Sequence, residues 1–372
     1  LSEPVVAVAV PAYNAEPYLR ATLESLVGQT YTRWQAVVVD DGSTDATGEI
    51  AREMAGRDGR ISVERQPNAG ECAARNTAIT TLAATGATYL ACVDSDDVLV
   101  PDAFASLVPA LDARPDAVGA YGLAEYINAQ GTPISPGAHS SLQLHRTTFQ
   151  PLPPVRADGG ALASEGSVRD RAKAALVPFA GRALAPDEDT GFDALAIYGS
   201  IWPPAVALTR LGVVRQIGGF DPSFSYMGDW EFFLRISRQG PLVFVNRQVA
   251  WYRRHPRNSG SRDSAEGSPL GDWNTSFLAA VANVRYRAWL SPANTRAQRL
   301  ALARAHRRDA VSLAKRETEA LGRDIARLSG WRPARAHLAW ASYGLWLAAH
   351  PNPAPPNRRW LRALERARSP RP

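Results

Sequence analysis

Short apolar runs alternate with helical stripes through the first part of the chain. Val5–Val10 is an unbroken apolar run that stops at Pro11. Tyr18, Leu19, Thr22, Leu23 and Leu26 follow at the spacing of a helix with one buried face. Trp34–Val39 is a second strand-like run, ending in Asp40-Asp41-Gly42-Ser43, and Thr44–Met54 reads as a helix with acidic first turns. Ile61–Glu64 predicts a short strand, Ala73–Thr85 an Ala-rich helix and Tyr89–Val93 another strand. A further helix begins at Pro101-Asp102, and Ala117–Tyr126 predicts a strand. Strands recurring with helices between them predict right-handed βαβ units, hence an α/β fold with a mostly parallel sheet flanked by helices. The carboxyl ends of such strands share one edge. Pro11–Asn14, Asp40–Ser43 and Asp94–Asp97 therefore converge on the place where open α/β sheets bind ligands.

The pattern then weakens. Residues 131–190 are rich in Pro, Gly, Ser and Ala, and read as a long, partly ordered insertion over the ligand edge. Order returns at Pro203–Leu211, followed by a Gly218-Gly219-Phe220-Asp221 turn, a short helix at Asp229–Ser237 and a strand at Val243–Tyr252. Trp273–His350 reads as helical, with a break near Ser291-Pro292, before the Pro-rich Pro351–Asn357. We expect a catalytic domain at 1–272, containing a variable acceptor region at 131–200, and a basic helical region at 273–372.

Charge changes the picture at the second boundary. The chain has 372 residues and a net charge of +6. Residues 273–372 carry 19 Lys+Arg against 5 Asp+Glu, a net +14, which leaves −8 for residues 1–272. The basic region reads as a helical subdomain with a solvated Arg face. A second reading is a peripheral contact with anionic membrane, since Trp331, Trp340, Trp346 and Trp360 interleave with Arg332, Arg335, Arg358, Arg359 and Arg362. Nucleic acid is not expected as a partner, because no recognition motif appears and the acidic part would repel it. Cys72 and Cys92 lack both a disulfide framework and metal-ligand spacing, so a reducing, cytoplasmic setting is expected, with the inner face of the cell membrane as the peripheral site. No apolar run is long enough to span a bilayer, and a chain starting at Leu1 leaves a targeting segment open.

The densest candidate chemistry is Asp94-Ser95-Asp96-Asp97, directly after a strand. The same residues make a good turn or helix cap. At a ligand edge, however, Asp94 and Asp96 repel unless a cation lies between them, and a divalent ion holding a phosphorylated substrate suits that place. Ser95 then aims the pair, and Asp97 caps the segment after it. Asp41 can accept bonds from a base or ribose, with Gly42 making the turn and Ser43 or Thr44 capping the next helix. Both the G-x-G-x-x-G and the P-loop patterns are missing, so phosphates would rely on the metal. Asp229, at a helix start favoured by the dipole, is a candidate general base. Trp251–Ser261 holds Arg253, Arg254, Arg257 and His255, and reads either as an exposed basic loop or as a mobile lid over phosphates.

Six blocks in this order resemble family 2 glycosyltransferases of the GT-A fold. They are Val10–Asn14, Val39–Asp45, Asn68-Ala69-Gly70 with Ala74-Arg75-Asn76, Asp94–Asp97, Gly218–Asp221 and Asp229–Arg235, spread over roughly residues 4–262. The resemblance implies a Rossmann-like GT-A sheet and a nucleotide-sugar donor, usually carried on UDP. It also implies a saccharide or lipid-linked acceptor, in polysaccharide or glycoconjugate biosynthesis. It implies donor contacts at Pro11, Tyr13, Asn14, Asp41, Asn68, Gly70, Arg75, Asp94 and Ser95, with Pro11, Tyr13 and Asp41 around the uridine. Mn²⁺ or Mg²⁺ would be held by Asp96, Asp94 and His255. Asp229 would be the base of an inverting transfer, with Trp230, Glu231, Arg254 and Ser259 as acceptor and lid residues. One departure stands out: the family usually has Glu-Asp where this chain has Gly228-Asp229. A non-catalytic nucleotide-sugar-binding protein on the same fold is the alternative. A nucleotidyltransferase would normally show a Gly-rich phosphate loop, which Ala12–Ala15 is not.

Overall fold

The apolar run at the amino end becomes β1 (Val6–Ala12), buried along its whole length. β2 (Trp34–Asp40) runs parallel beside it, and β3 (Ile61–Arg65) parallel beside β2. β4 (Tyr89–Cys92) lies parallel on the other side of β1. Helices α1 (Leu19–Val27), α2 (Thr47–Arg57) and α3 (Glu71–Leu82) make the crossovers. Leu19, Leu23 and Leu26 of α1 are fully buried, each stabilising by about 1.5–3 kcal/mol relative to exposure. The described residues of the computed structural model are 3–134, 188–192, 194–195, 201, 203–224, 227–256 and 258. Most of the 131–200 insertion, Ser259 and the basic 273–372 region lie outside them. The chain divides into two compact units, Leu1–Pro256 and Arg257–Pro372, and the described residues fall almost wholly in the first.

The second half of the sheet is built differently. β5 (Val98–Leu99), α4 (Ala103–Asp112) and β6 (Gly119–Ile127) lead to β7 (Ala207–Arg210), α5 (Leu211–Gln216), α6 (Gly228–Ile236) and β8 (Leu242–Arg253). Among the described residues the strand order is β3-β2-β1-β4-β7-β6-β8-β5. β7 is antiparallel to both β4 and β6, β8 is parallel to β6, and β5 is antiparallel to β8. Four of the seven pairings are thus parallel, the expected majority, with one reversed strand inserted at the centre. No helix of the described residues is long and apolar enough to cross a membrane.

Two features position the site. The parallel register sets Ala12 opposite Asp40 and Ala9 opposite Cys92, so β1, β2 and β4 release their loops at one edge. β5 then pairs Val98 with Trp251, which carries the end of β8 against the acidic loop 93–97.

Candidate active site

The β2 end is a knot of short polar bonds. Asp41 is buried, and its carboxylate accepts bonds from Gln66 Nε2 (2.7 Å), Ala69 N (2.9 Å) and Gly70 N (2.9 Å). Gly42 adopts φ +77°, and a Cβ there would stand 2.8 Å from Asn68 N, so only glycine lets the two loops approach. Asn14, itself left-handed at φ 49°, donates from its backbone N to Ser43 Oγ (3.0 Å). Its Oδ1 accepts from Thr44 N (2.9 Å). The structure shows where each donor-site candidate lies. Asp41 and Asn14 spend these bonds on the protein's own loops, and Pro11 is a buried strand residue opposite Val39 with no ligand surface. Tyr13 is 43% exposed at the edge, where its ring is available to a planar base. Asn68 and Gly70 are also exposed. Neither Ser43 nor Thr44 caps α2. Asp45 Oδ1, just before the helix, accepts from Thr47 N (3.0 Å) and Thr47 Oγ1 (2.5 Å).

Arg75 of α3 organises the acidic side. It is 1% exposed, and its guanidinium donates to Asp94 Oδ1 (2.6 Å), pairs with Glu71 one turn earlier, and lies 5.0 Å from the Phe220 ring centre. Burial opposes its charge, but Glu71 and Asp94 outweigh burial and hold it firmly protonated. Burial pushes Asp94 up, Arg75 pulls it back and Asp96 pushes it further. Glu71 keeps half its side chain exposed, yet crowding by protein atoms raises it to about 7, with Arg75 opposing and Asp94, Asp229 and Asp96 adding. Asp229, half-buried in the first turn of α6, is likewise raised by burial, opposed by Arg75 and pushed by Asp94. Arg75 is therefore the internal counter-ion of this cluster.

Asp96 points the other way. Its Oδ2 lies 2.9 Å from His255 Nε2, and the His255 ring packs on Tyr18 with centroids 4.3 Å apart. The Asp96, Asp94 and His255 set does not assemble as three ligands: Asp94 turns to Arg75, and among the described residues no group of three His, Cys, Asp or Glu side chains could hold a metal. A carboxylate oxygen beside an imidazole nitrogen remains, and that donor pair suits Mn²⁺ when phosphate oxygens complete the shell. Ser95 is the half-buried spacer between the two diverging carboxylates. Asp97 caps no helix. It is fully buried, and its Oδ1 accepts from the backbone N of Arg253 (3.1 Å). Burial, then Asp96 and Asp94, push its pKa well up.

The acceptor and lid candidates differ in exposure. Trp230 is buried, with Nε1 donating to Leu195 O (2.9 Å), and Glu231 is buried in a two-pronged pair with Arg235 (2.5 and 2.7 Å). Asp229 is half-buried where its neighbours Gly228, Trp230 and Glu231 are buried, while Phe232, Phe233 and Ile236 fill the core as the apolar stripe predicts. Tyr252, Arg253 and His255 are buried at and just after the end of β8. Arg254 is exposed, its guanidinium carbon 5.6 Å from the Tyr126 ring centre. Glu71, Gln66 and the inward role of Arg253 escaped the sequence reading. A charged residue after Val249-Ala250-Trp251-Tyr252 was the available signal for Arg253.

This sheet, with acidic loops at its parallel edge, defines the GT-A type of glycosyltransferase fold. S. aureus TarS 1–349 in complex with UDP-GlcNAc superposes with a TM-score of 0.53 at 17% identity, covering 82% of this chain and 72% of that one. The mannosyltransferase PcManGT from Pyrobaculum calidifontis, in complex with GDP-Man and Mn²⁺, gives 0.52 at 15% identity, covering 99% and 86%. Residues 7–160 match the model of glycosyl transferase family 2. Glycosyltransferase GlyA of Streptococcus pneumoniae serotype 4 is 47% identical over 97 residues, 26% of this chain and 14% of that protein. The chain thus spans a small part of that relative's length.

Proposed function

We propose that the chain is a metal-dependent, inverting glycosyltransferase that moves a sugar from a UDP-sugar to a hydroxyl of a saccharide or lipid-linked acceptor. The observation that carries the reading is the edge itself. Asp229, Asp94 and Asp96 lie at one end of the sheet, with Arg75 buried behind the first two and His255 beside the third. Exposed Tyr13 lies at the same edge for a base. The family segment, the UDP-GlcNAc bound to TarS and the Mn²⁺ bound to PcManGT support the donor and metal.

Asp96 and His255 would hold the cation, which when bound neutralises the diphosphate and the leaving nucleotide. Asp229 accepts the proton of the attacking hydroxyl. Its raised pKa, set first by burial, makes the carboxylate a stronger base than a solvated one. Arg75 keeps Asp94 and Asp229 from repelling each other apart. One base on one face of the sugar, with no second carboxylate as nucleophile, gives inversion.

The Asp229→Asn variant tests this. With UDP-sugars and Mn²⁺, sugar release and transfer should fall about 10²–10⁴-fold while UDP affinity stays within about twofold. Turnover close to wild type would remove Asp229 from the role. A wild-type chain that binds UDP but neither hydrolyses nor transfers from any UDP-sugar would instead be a binding protein on this fold.

A further inference from the structure

Arg253 does work that the proposed chemistry does not yet use. It closes β8, is 4% exposed, and reaches three segments at once. Its Nε donates to the backbone carbonyl of Asp96 (2.9 Å). Its backbone N donates to Asp97 Oδ1 (3.1 Å). Its Nη1 donates to the carbonyls of Asn128 (3.3 Å) and Ala129 (3.2 Å), in the turn after β6. The guanidinium carbon also lies 5.3 Å from the centre of the Tyr18 ring, the same ring that packs on His255. One side chain therefore grips the main chain of Asp96 and the ring backing His255, and its own backbone runs on to His255 two residues later.

We propose that Arg253 is a positioning residue that sets the Asp96–His255 pair, and through it the coupling between divalent cation and nucleoside diphosphate. The proposal rests on the metal reading above. Groups that orient metal ligands from behind typically change metal affinity by about 10–100-fold when removed. A planar guanidinium is needed, because Nε and Nη1 serve carbonyls on different segments. A lysine supplies the charge from a single point and cannot span both.

Full-length wild type, Arg253→Gln and Arg253→Lys are each titrated with UDP by calorimetry, once with Mn²⁺ and once with EDTA, alongside thermal unfolding. We expect the Mn²⁺-dependent gain in UDP affinity to drop about 10-fold or more in both variants, while UDP affinity in EDTA changes less than about twofold. A gain equal to wild type in either folded variant overturns the proposal, as does equal weakening in both buffers. Failure of both variants to fold would also overturn it, because the residue would then be a structural strut. Wild-type binding that ignores Mn²⁺ removes the metal reading and this proposal together. Normal wild-type coupling that survives in Arg253→Gln removes this proposal alone.

Discussion

Gly228 shows how one residue can be read correctly as unusual and still be explained only by its neighbour. The family pattern places a glutamate there, and a Cβ built on Gly228 would overlap Cys72 Sγ. The first turns of α3 and α6 meet at that contact, so side chains are excluded at 228 by a thiol 156 positions away in sequence. Gly228→Ala should cost about 1–3 kcal/mol by overpacking, and adding Cys72→Ala should recover most of it, as read by urea unfolding. An equal cost in both backgrounds would point away from the thiol. Asp41 teaches the same lesson with the opposite sign. Its identity and place after β2 were legible, but Gln66, Ala69 and Gly70 claim its oxygens from 25 to 29 residues away. Asp41→Ala should therefore destabilise by roughly 3 kcal/mol in urea unfolding, since three donors lose a charged acceptor. Residue type announces the chemistry, whereas the partner that consumes it comes from tertiary contact.

Elements were easier to read than partners, and the difference is physical. β1, β2, β3 and β4 are buried parallel strands whose apolar runs are continuous, and the sequence places them within two residues. Of the helices between them, α1 buries a clean apolar face, whereas α3 buries Arg75 beside Ala78, Ile79 and Leu82. The two-residue β5 carries no periodicity at all, and the reversal of β7 is invisible because strand direction depends on connection, not composition. α6 illustrates both sides. Its core stripe was legible, but not its brace: Arg235 Nη1 donates to Ile217 O (2.9 Å) and Nη2 to Gly219 O (2.8 Å), while Glu231 clasps the same guanidinium. This brace ties the turn before α6 to the helix that presents Asp229. Arg235→Met should cost about 3 kcal/mol by orphaning a buried carboxylate and two carbonyls, and the loss should exceed that of Glu231→Gln in urea unfolding.

At the scale of the whole molecule, the site stores unfavourable charge that pH can release. Glu71, Asp94, Asp97 and Asp229 are all harder to ionise in the folded chain than as free side chains, for the same first reason, removal from water. A carboxyl with a raised folded pKa contributes stability that is complete below its unfolded pKa and is lost as pH rises through the folded value. For Glu71 that window runs from 4.5 to about 7. The groups facing it are Arg75 on its own helix, Asp94 and Asp96 from the loop after β4, and Asp229 from α6. Arg75 cannot neutralise them all, so stability should decline across that window rather than rise, opposite to a protein held by salt-bridged surface carboxylates. Glu71→Gln removes one of the charges and should flatten the decline, raising the urea midpoint at pH 7.5 while leaving that at pH 4.5 nearly unchanged. On the proposed donor and metal reading, Mn²⁺ with UDP should stabilise the wild type more at pH 7.5 than at pH 4.5, because it would bind the ionised form of the edge. A wild-type midpoint that climbs from pH 4.5 to 7.5 would show that Arg75 already satisfies the cluster, and that its carboxylates are ionised well below neutrality.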